Sequence, residues 1–205
     1  MKRLILFAAL AMMLTACNKK NETMSDNNSK TMLECIMTRT SIRQYTDQPV
    51  EKEKIEAMLR AGMAAPTAVN AQPWHFVVVS DKAKLGELAA ANPRAKMLES
   101  APLAIVVCGD LTKTMEGKGQ QFWIQDCSAA TENILLAAHA QGLGAVWTAL
   151  YPMEERLQPV SEALKLPSTM IPLCTVVIGY PAETPEPKDK WKPENISYNE
   201  FGQKE

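Results

Sequence analysis

The sequence predicts an α+β domain, because some segments have the period of amphipathic helices and others have the composition of buried strands. Residues 51–64 repeat apolar side chains at i, i+3, i+4 and i+7, which predicts a helix with one apolar face. The continuous apolar runs 103–108 and 173–178 have strand length, so we expect two central strands that are covered on both faces. The roughly 175 residues after the first thirty are enough for one domain with a full core.

The first helix of the domain is predicted from a capping signal. Thr31 and Glu34 have the S/T-x-x-E spacing of a capping box, in which each side chain bonds the backbone of the other residue. We therefore expect a helix to begin there and to carry Leu33, Ile36 and Met37 inward.

Further elements follow along the chain. An apolar strand is predicted at 76–79, with a short helix at 82–91 after it. Segment 122–141 is apolar around almost its whole circumference, which predicts a helix buried on all sides. A helix of this kind in a small domain needs a partner surface. Gly142 ends it before a strand at 145–149.

The N-terminus has the pattern of an export signal. Lys2 and Arg3 precede the apolar run 4–14, and small residues lead to Cys17. The run is too short for a transmembrane anchor, which needs ~20 residues. It resembles a bacterial lipoprotein signal, which implies that residues 1–16 are removed and that Cys17 is acylated.

The polar segment after Cys17 has no apolar periodicity, so we expect residues 17–30 to form a lipidated, flexible tether to the domain 31–205. The expected location is the cell envelope, on a membrane face outside the cytoplasm. That is the periplasmic face or the cell surface.

Composition argues against two classes of function. The net charge is −1 and basic runs are absent beyond Lys19 and Lys20, so a cationic face for nucleic acid is not expected. Two histidines and no CxxC motif leave no metal-ligand cluster. The four cysteines after Cys17 lie in apolar strand or helix segments, and we expect them to stay unpaired.

A polar loop at 65–76 leads directly into the first apolar strand. Pro66 and Pro73 restrict the backbone, so Thr67, Asn70 and Gln72 between them can be held ready for a flat, hydrogen-bonding ligand. The alternative is a surface turn whose Thr and Asn only satisfy their own backbone.

A second polar segment suggests a phosphate ligand. Arg39 and Arg43 lie four residues apart with hydroxyl side chains between them, and planar guanidinium groups suit phosphate oxygens. A solvated helix end is the alternative.

Together, these two segments resemble the nitroreductase family of FMN-dependent oxidoreductases. The resemblance continues through W-I-Q-D at 123–126, G-L-G-A-V-W at 142–147, G-Y-P at 179–181 and P-K-D-K at 187–190, and it spans about residues 32–202. It implies a three-layer sandwich, in which helices flank a mainly antiparallel sheet. It also implies an entwined homodimer that shares the long helix, with a C-terminal arm around the other subunit. A partly frayed terminus is the alternative for the arm.

The resemblance also implies roles in binding FMN. The phosphate and ribityl ligands would be Arg39, Ser41, Arg43, Lys188 and Lys190. The same flavin would be contacted by the other subunit's Pro66, Thr67, Asn70 and Gln72, and its ring edge by Trp147, Thr148 and Ala149. Lys96 is a candidate cation beside the reduced flavin, or else a solvent-facing lysine. Lys190 stands where the family more often has Arg, and a lysine cannot form the bidentate fork.

The implied activity is that of an NAD(P)H:acceptor oxidoreductase. Hydride would pass from NAD(P)H or another donor through flavin N5 to nitroaromatic, quinone or similar acceptors, by a ping-pong mechanism. No dinucleotide-binding fingerprint is present, so a nicotinamide would bind only transiently. Because NAD(P)H is kept inside the cell, the alternative is a membrane-tethered flavin carrier with little turnover.

Overall fold

The computed structural model of the chain describes residues 31–204. The predicted signal peptide, Cys17 and the tether lie outside these described residues. Within residues 31–204, no helix is both long enough and apolar enough to cross a bilayer.

The described residues contain one four-stranded sheet with the spatial order β1-β2-β4-β3, in which every neighbouring pair is antiparallel. The strands are β1 (Trp74–Val79), β2 (Leu103–Asp110), β3 (Gly144–Ala149) and β4 (Met170–Gly179). β2 and β4 form the centre, and all eight residues of β2 are buried. The prediction of two central, fully covered strands is confirmed.

Helices cover both faces of this sheet. They are α1 (Met32–Thr38), α2 (Lys52–Met63), α3 (Lys82–Ala91), α4 (Phe122–Ala140) and α5 (Glu154–Leu164). Ile105 of β2 packs in a core cluster with side chains of α2 and α4. Val106, the next residue, packs in a second cluster with side chains of α3 and α5. Side chains of β2 alternate between the two faces of the sheet and so pack into a separate core on each face. The predicted three-layer α+β sandwich is confirmed.

Local sequence signals set the helix ends. Thr31 Oγ1 accepts a hydrogen bond from the Glu34 backbone N–H at 3.2 Å, so α1 begins at the predicted cap. At the end of α4, Gly142 has a φ of +76°, which glycine adopts without steric cost. The Leu143 N–H then reaches the Ala138 carbonyl at 2.9 Å, the bond that closes a Schellman motif.

The prediction that α1 carries its apolar residues inward is wrong for the single chain. Leu33 and Met37 are each 73% exposed, Ile36 is 47% exposed, and only Cys35 is buried in this helix. The helix has seven residues and contacts α4 near its end, where Thr38 Oγ1 and His139 Nε2 lie 2.9 Å apart. Apolar periodicity identifies the face to be covered, but it does not say which surface covers it.

The predicted all-round burial of α4 is also wrong within one chain. Its inner face is buried, including Cys127 and Ile134, whereas Phe122 is 42% exposed and Glu132 is exposed. The sheet covers only one side of a helix, because a three-layer fold leaves the outer side open. The second surface that the composition requires is not supplied by residues 31–204.

The C-terminal arm (residues 180–204) has no strand and only a short 3₁₀ turn, Pro193–Asn195. Three of its aromatic side chains are exposed, Trp191 to 71%, Tyr198 to 43% and Phe201 fully, whereas Tyr180 packs against the core. The two predicted alternatives, an arm around a second subunit and a frayed terminus, stay predictions.

Candidate cofactor site

One cavity of about 710 Å³ collects the residues that were predicted to hold a phosphate. Its walls include Arg39, Ser41, Arg43, Lys188 and Lys190. The apolar side chains of Ile36, Met37 and Trp191 line another part of it. The two halves of the predicted phosphate set lie about 150 positions apart in the sequence, and the fold brings them together.

The segment 39–43, which we call the clamp segment, is held beside the start of β3. Ser41 forms a parallel bridge with Ala145, and the Ile42 N–H donates to the Ala145 carbonyl at 3.1 Å. Because side chains alternate along extended backbone, residues 39, 41 and 43 share the side opposite to Ile42, which is buried. A Cβ at Gly144 would lie 2.7 Å from Ile42, so glycine is what allows this close approach.

The C-terminal arm brings the two lysines to the same cavity. The Thr46 N–H donates to the Tyr180 carbonyl and the Ala182 N–H donates to the Gln44 carbonyl, both at 2.9 Å. Tyr45 and Pro181 form an isolated antiparallel bridge between these bonds. The first residues of the arm therefore pair with residues 44–46, which directly follow the clamp segment. This pairing sets the direction in which the arm continues to residues 188–190.

The charge of this cavity favours an anion. Four cationic side chains line it against the three carboxylates of Glu132, Glu186 and Asp189. Arg39 pairs with Glu132, with Nε 3.6 Å from Oε1, and is only 19% exposed. Among residues 31–204, the side chains of Arg43, Lys188 and Lys190 make no hydrogen bond or salt bridge. Guanidinium and ammonium groups both suit phosphate, and these three side chains are available to bind one.

The predicted ring-binding loop, residues 66–73, has a strained backbone. Val69, Asn70 and Gln72 have φ values of 47°, 57° and 52°, in the left-handed region that non-glycine residues rarely occupy. The Ala68 N–H donates to a carboxylate oxygen of Asp126 on α4 at 2.9 Å. Strain of this kind persists only where surrounding contacts hold it, and it is concentrated at functional sites.

The polar side chains of this loop bind one another but keep unused hydrogen-bonding groups. The Gln72 N–H donates to Thr67 Oγ1 and Gln72 Nε2 donates to Asn70 Oδ1, each at 3.1 Å. The loop is thus partly the self-satisfying turn of the alternative interpretation. The Thr67 hydroxyl, the Asn70 amide NH₂ and the Gln72 carbonyl remain, which is two donor groups and one acceptor group. The pyrimidine edge of a flavin offers the complement, two carbonyls and one N–H.

Trp74, which directly follows the loop, has a buried N–H group without a hydrogen-bond acceptor among residues 31–204. Its ring stacks on Phe76 with centroids 5.7 Å apart. A buried, unsatisfied N–H costs about 1–3 kcal/mol. The donor set of the loop and this indole fit a flat ligand that carries acceptors.

The remaining predicted residues lie apart from the clamp segment. Trp147 is half-buried on the α4 side of the sheet, Ala149 is exposed, and the Thr148 hydroxyl already donates to the Thr175 carbonyl at 2.8 Å. Lys96 is exposed on a 3₁₀ turn that packs on the α3–α5 side. In the described chain Lys96 lines no cavity with the clamp segment or the loop, and its role stays a prediction.

Among residues 31–204, no residue of the loop lines the cavity beside the clamp segment, although both the loop and the clamp segment contact α4. The loop is bonded to Asp126 and Arg39 is paired with Glu132. These two acids are six residues apart, about 9 Å along the helix axis and roughly 120° around it. The two predicted half-sites therefore lie against different faces of the helix whose outer side is open.

Sequence reasoning missed three acids that shape these half-sites, namely Asp126, Glu132 and Glu183. Asp126 and Glu132 are the two acids of a nearly apolar helix, so an acid in such a segment was an available signal for both. Glu183 gave no such signal, because it lies in a polar arm and binds a backbone about 140 positions away.

The fold and the site define a class: a three-layer α+β protein with a cavity lined by four cationic side chains and a polar, strained loop. The chain belongs to the nitroreductase family, whose sequence profile matches residues 36–95 and 82–180. Membership of this family classes the chain as an oxidoreductase.

Three similar proteins illustrate the relationship. A candidate NADH dehydrogenase/NAD(P)H nitroreductase from Methanothermobacter thermautotrophicus is 45% identical over 165 residues, which is 80% of this chain and 85% of the relative. A crystal structure of a candidate NADH dehydrogenase/NAD(P)H nitroreductase from Bacteroides thetaiotaomicron is 50% identical, with a TM-score of 0.79 over 84% of this chain and 99% of that one. An FMN-dependent nitroreductase from Clostridium difficile is 32% identical, with a TM-score of 0.76 over 82% of this chain and 99% of that one.

Proposed function

We propose that the chain binds FMN and acts as an NAD(P)H:acceptor oxidoreductase. The observation that carries the proposal is the convergence of Arg39, Ser41, Arg43, Lys188 and Lys190 on one cavity. The name of the Clostridium difficile relative, an FMN-dependent nitroreductase, supports FMN as the phosphate-bearing ligand.

The proposed pocket is built by two copies of the chain. One copy supplies the phosphate cavity, and the other supplies Thr67, Asn70 and Gln72 for the pyrimidine edge. Trp147, Thr148 and Ala149 lie along the ring, and Pro66 shapes the loop. The open outer side of α4 and the exposed apolar face of α1 are surfaces that a second copy would cover.

The chain's own contribution is binding and orientation. When bound, FMN supplies hydride transfer at N5 from NAD(P)H or another donor to nitroaromatic or quinone acceptors. The arginines and lysines fix the phosphate, and the loop fixes the ring edge, so that one ring face stays available to donor and acceptor in turn. Lys96 is proposed to place positive charge beside the ring, in which case Lys96→Ala slows flavin reduction without changing FMN affinity.

The test of this function is made with the full-length chain. We expect a purified protein with the visible absorbance of an oxidised flavin. Anaerobic NADH or NADPH should bleach that absorbance, and a nitroaromatic or quinone should restore it. A yellow protein that no nicotinamide bleaches would favour the second candidate, a flavin carrier served by another reductant. A protein that takes up no FMN would rule out both.

Mixing two variants tests the shared pocket. Arg39→Ala damages the phosphate cavity and Asn70→Ala damages the loop, so each homodimer loses both sites. A mixed dimer would keep one pocket with both halves intact and regain up to half of the FMN. No recovery in the mixture would contradict a pocket formed across two copies.

We also propose that Cys17 is acylated and holds the domain at a membrane face outside the cytoplasm. The support is the sequence pattern of residues 1–17 alone. Metabolic labelling with a clickable fatty acid should tag the wild-type chain and not Cys17→Ala. Equal labelling of the two chains would contradict the proposal, and so would recovery of the wild type in the cytosolic fraction.

A further inference from the structure

Glu183 lies in the C-terminal arm, and its carboxylate accepts hydrogen bonds from the backbone at the end of the clamp segment. Among residues 31–204 it forms no salt bridge with a cationic side chain. One oxygen, Oε1, accepts hydrogen bonds from the consecutive N–H groups of Arg43 and Gln44, at 2.5 and 3.1 Å. The two partners lie about 140 positions away in the sequence. Charge-assisted bonds of this kind are the strong ones among protein hydrogen bonds.

These bonds extend the pairing between arm and clamp segment to the point where the cavity begins. The backbone pairing of residues 180–182 with 44–46 ends at Ala182, whose N–H donates to the Gln44 carbonyl. After Ala182 the arm backbone no longer pairs with this segment, and the Glu183 side chain makes the contact with residues 43 and 44 instead. It is the last described link between the two parts of the phosphate cavity's wall.

The position of this link matters for Arg43. The Arg43 side chain is exposed and makes no hydrogen bond or salt bridge within residues 31–204, so its direction depends on its backbone. Glu183 fixes that backbone without neutralising the guanidinium, because no salt bridge joins their side chains in the described part of the chain. The cationic side chain therefore stays available for an anion while its main chain is held.

We infer that Glu183 is a positioning residue for the phosphate cavity. It aligns Arg43 with Arg39 and Ser41. It also joins this segment to the arm that carries Lys188 and Lys190. The inference rests on the proposed function, since the cavity's ligand is taken to be the FMN phosphate. A loss of Glu183 then affects binding of the phosphate and not of the flavin ring.

The experiment compares FMN with riboflavin, which has the same ring and no phosphate. Dissociation constants are measured by flavin fluorescence quenching for the full-length wild type, Glu183→Ala and Glu183→Gln. Glu200→Ala is the matched control, an acid of the same arm whose side chain makes no described contact. We expect Glu183→Ala to weaken FMN binding by roughly 10- to 100-fold and to leave riboflavin binding unchanged. Glu183→Gln keeps a carbonyl acceptor and should recover most of the affinity, and Glu200→Ala should match the wild type.

A second readout does not use the flavin. Amide hydrogen exchange at Arg43 and Gln44 should be faster in flavin-free Glu183→Ala than in the wild type, with Glu183→Gln between them. Unchanged exchange at both amides overturns the inference. An equal loss of FMN and riboflavin affinity overturns it as well, because that result assigns Glu183 to general stability. A wild-type chain that binds neither flavin overturns the proposed function, whereas normal FMN binding by Glu183→Ala overturns only the role of Glu183.

Discussion

The carboxylate of Asp126 on α4 accepts a hydrogen bond from the Ala68 backbone N–H at 2.9 Å and so anchors the strained loop. Asp126 is 6% exposed, and hydrogen bonds to charged groups contribute about 1.5–3 kcal/mol. We expect Asp126→Ala to lower the free energy of unfolding by about that amount and to release the left-handed conformation at residues 69, 70 and 72. Asp126→Asn keeps an acceptor and should cost less. Urea denaturation of both variants checks the order.

Asp126→Ala should also weaken flavin binding, but with a pattern that differs from the one expected for Glu183→Ala. Because the loop is proposed to contact the ring and not the phosphate, Asp126→Ala should weaken FMN and riboflavin binding to the same extent. A selective loss of FMN affinity would show that the loop does not contact the ring.

In the proposed site, Glu132 would compete with the FMN phosphate for Arg39. Its Oε1 lies 3.6 Å from Arg39 Nε, and the side chain is 51% exposed. Exposed pairs of this kind contribute about 0.2–1 kcal/mol, so Glu132→Gln should tighten FMN binding by up to about fivefold at low salt. The gain should shrink as salt screens the charges. In an Arg39→Ala background the substitution should have little effect, and weaker FMN binding in Glu132→Gln alone would contradict the competition.

Features with a local cause were predictable from the sequence. The helix predicted at 51–64 follows from apolar periodicity, and the cap at Thr31 follows from one side-chain contact three residues away. The two central strands follow from continuous apolar runs, since such a run has only buried environments available. The amide-rich loop was located by its prolines and its composition.

Features set by distant pairing were not predictable in this way. The bonds of Glu183 to residues 43 and 44 and of Asp126 to Ala68 depend on which surfaces the fold brings together. The apolar side of α1 was recognised, but its expected burial was wrong, because the sequence does not distinguish a core face from an interface. Lys96 was selected by charge alone, and the fold places it on the α3–α5 side.

Two glycines offer a matched test of packing. A Cβ at Gly109 in β2 would lie 2.3 Å from Trp123 Cε3, and Trp123 is itself buried at 5% exposure. Overpacking a core costs typically 1–3 kcal/mol, so Gly109→Ala should destabilise the domain by about that amount or more. Gly86 lies inside α3 with nothing within 4 Å of an added Cβ. Gly86→Ala should therefore stabilise the domain by about 0.5–1 kcal/mol.

Both variants add one methyl group, so urea denaturation of Gly109→Ala and Gly86→Ala compares the effect of the same change on stability at the two positions. A stabilising Gly109→Ala would mean that the Trp123 ring moves freely out of its position. A destabilising Gly86→Ala would mean that α3 is not solvent-facing at that position.

The buried thiols of the core should be unreactive in the folded protein. Cys108, Cys127 and Cys174 are free and buried. Burial raises the pKa of Cys108 and of Cys174 to about 12, and burial likewise raises the pKa of Cys127. Because the thiolate is the reactive form, an aromatic disulfide reagent at pH 8 should leave these three residues unmodified in the native protein and modify them in urea. Mass spectrometry of the digested protein identifies each site.

The same pKa shifts predict how stability depends on pH. In the unfolded chain these thiols lose their protons near pH 9, whereas in the folded chain they keep them to about pH 12. Their contribution to stability is thus fully present below pH 9 and is lost as the pH rises from 9 towards 12. Since lysine and tyrosine also titrate in this range, the comparison is with Cys108→Val, which should show a shallower fall in the free energy of unfolding between pH 8 and 11. Equal slopes, or rapid modification of native Cys108 at pH 8, would show that this thiol is not held protonated by the core.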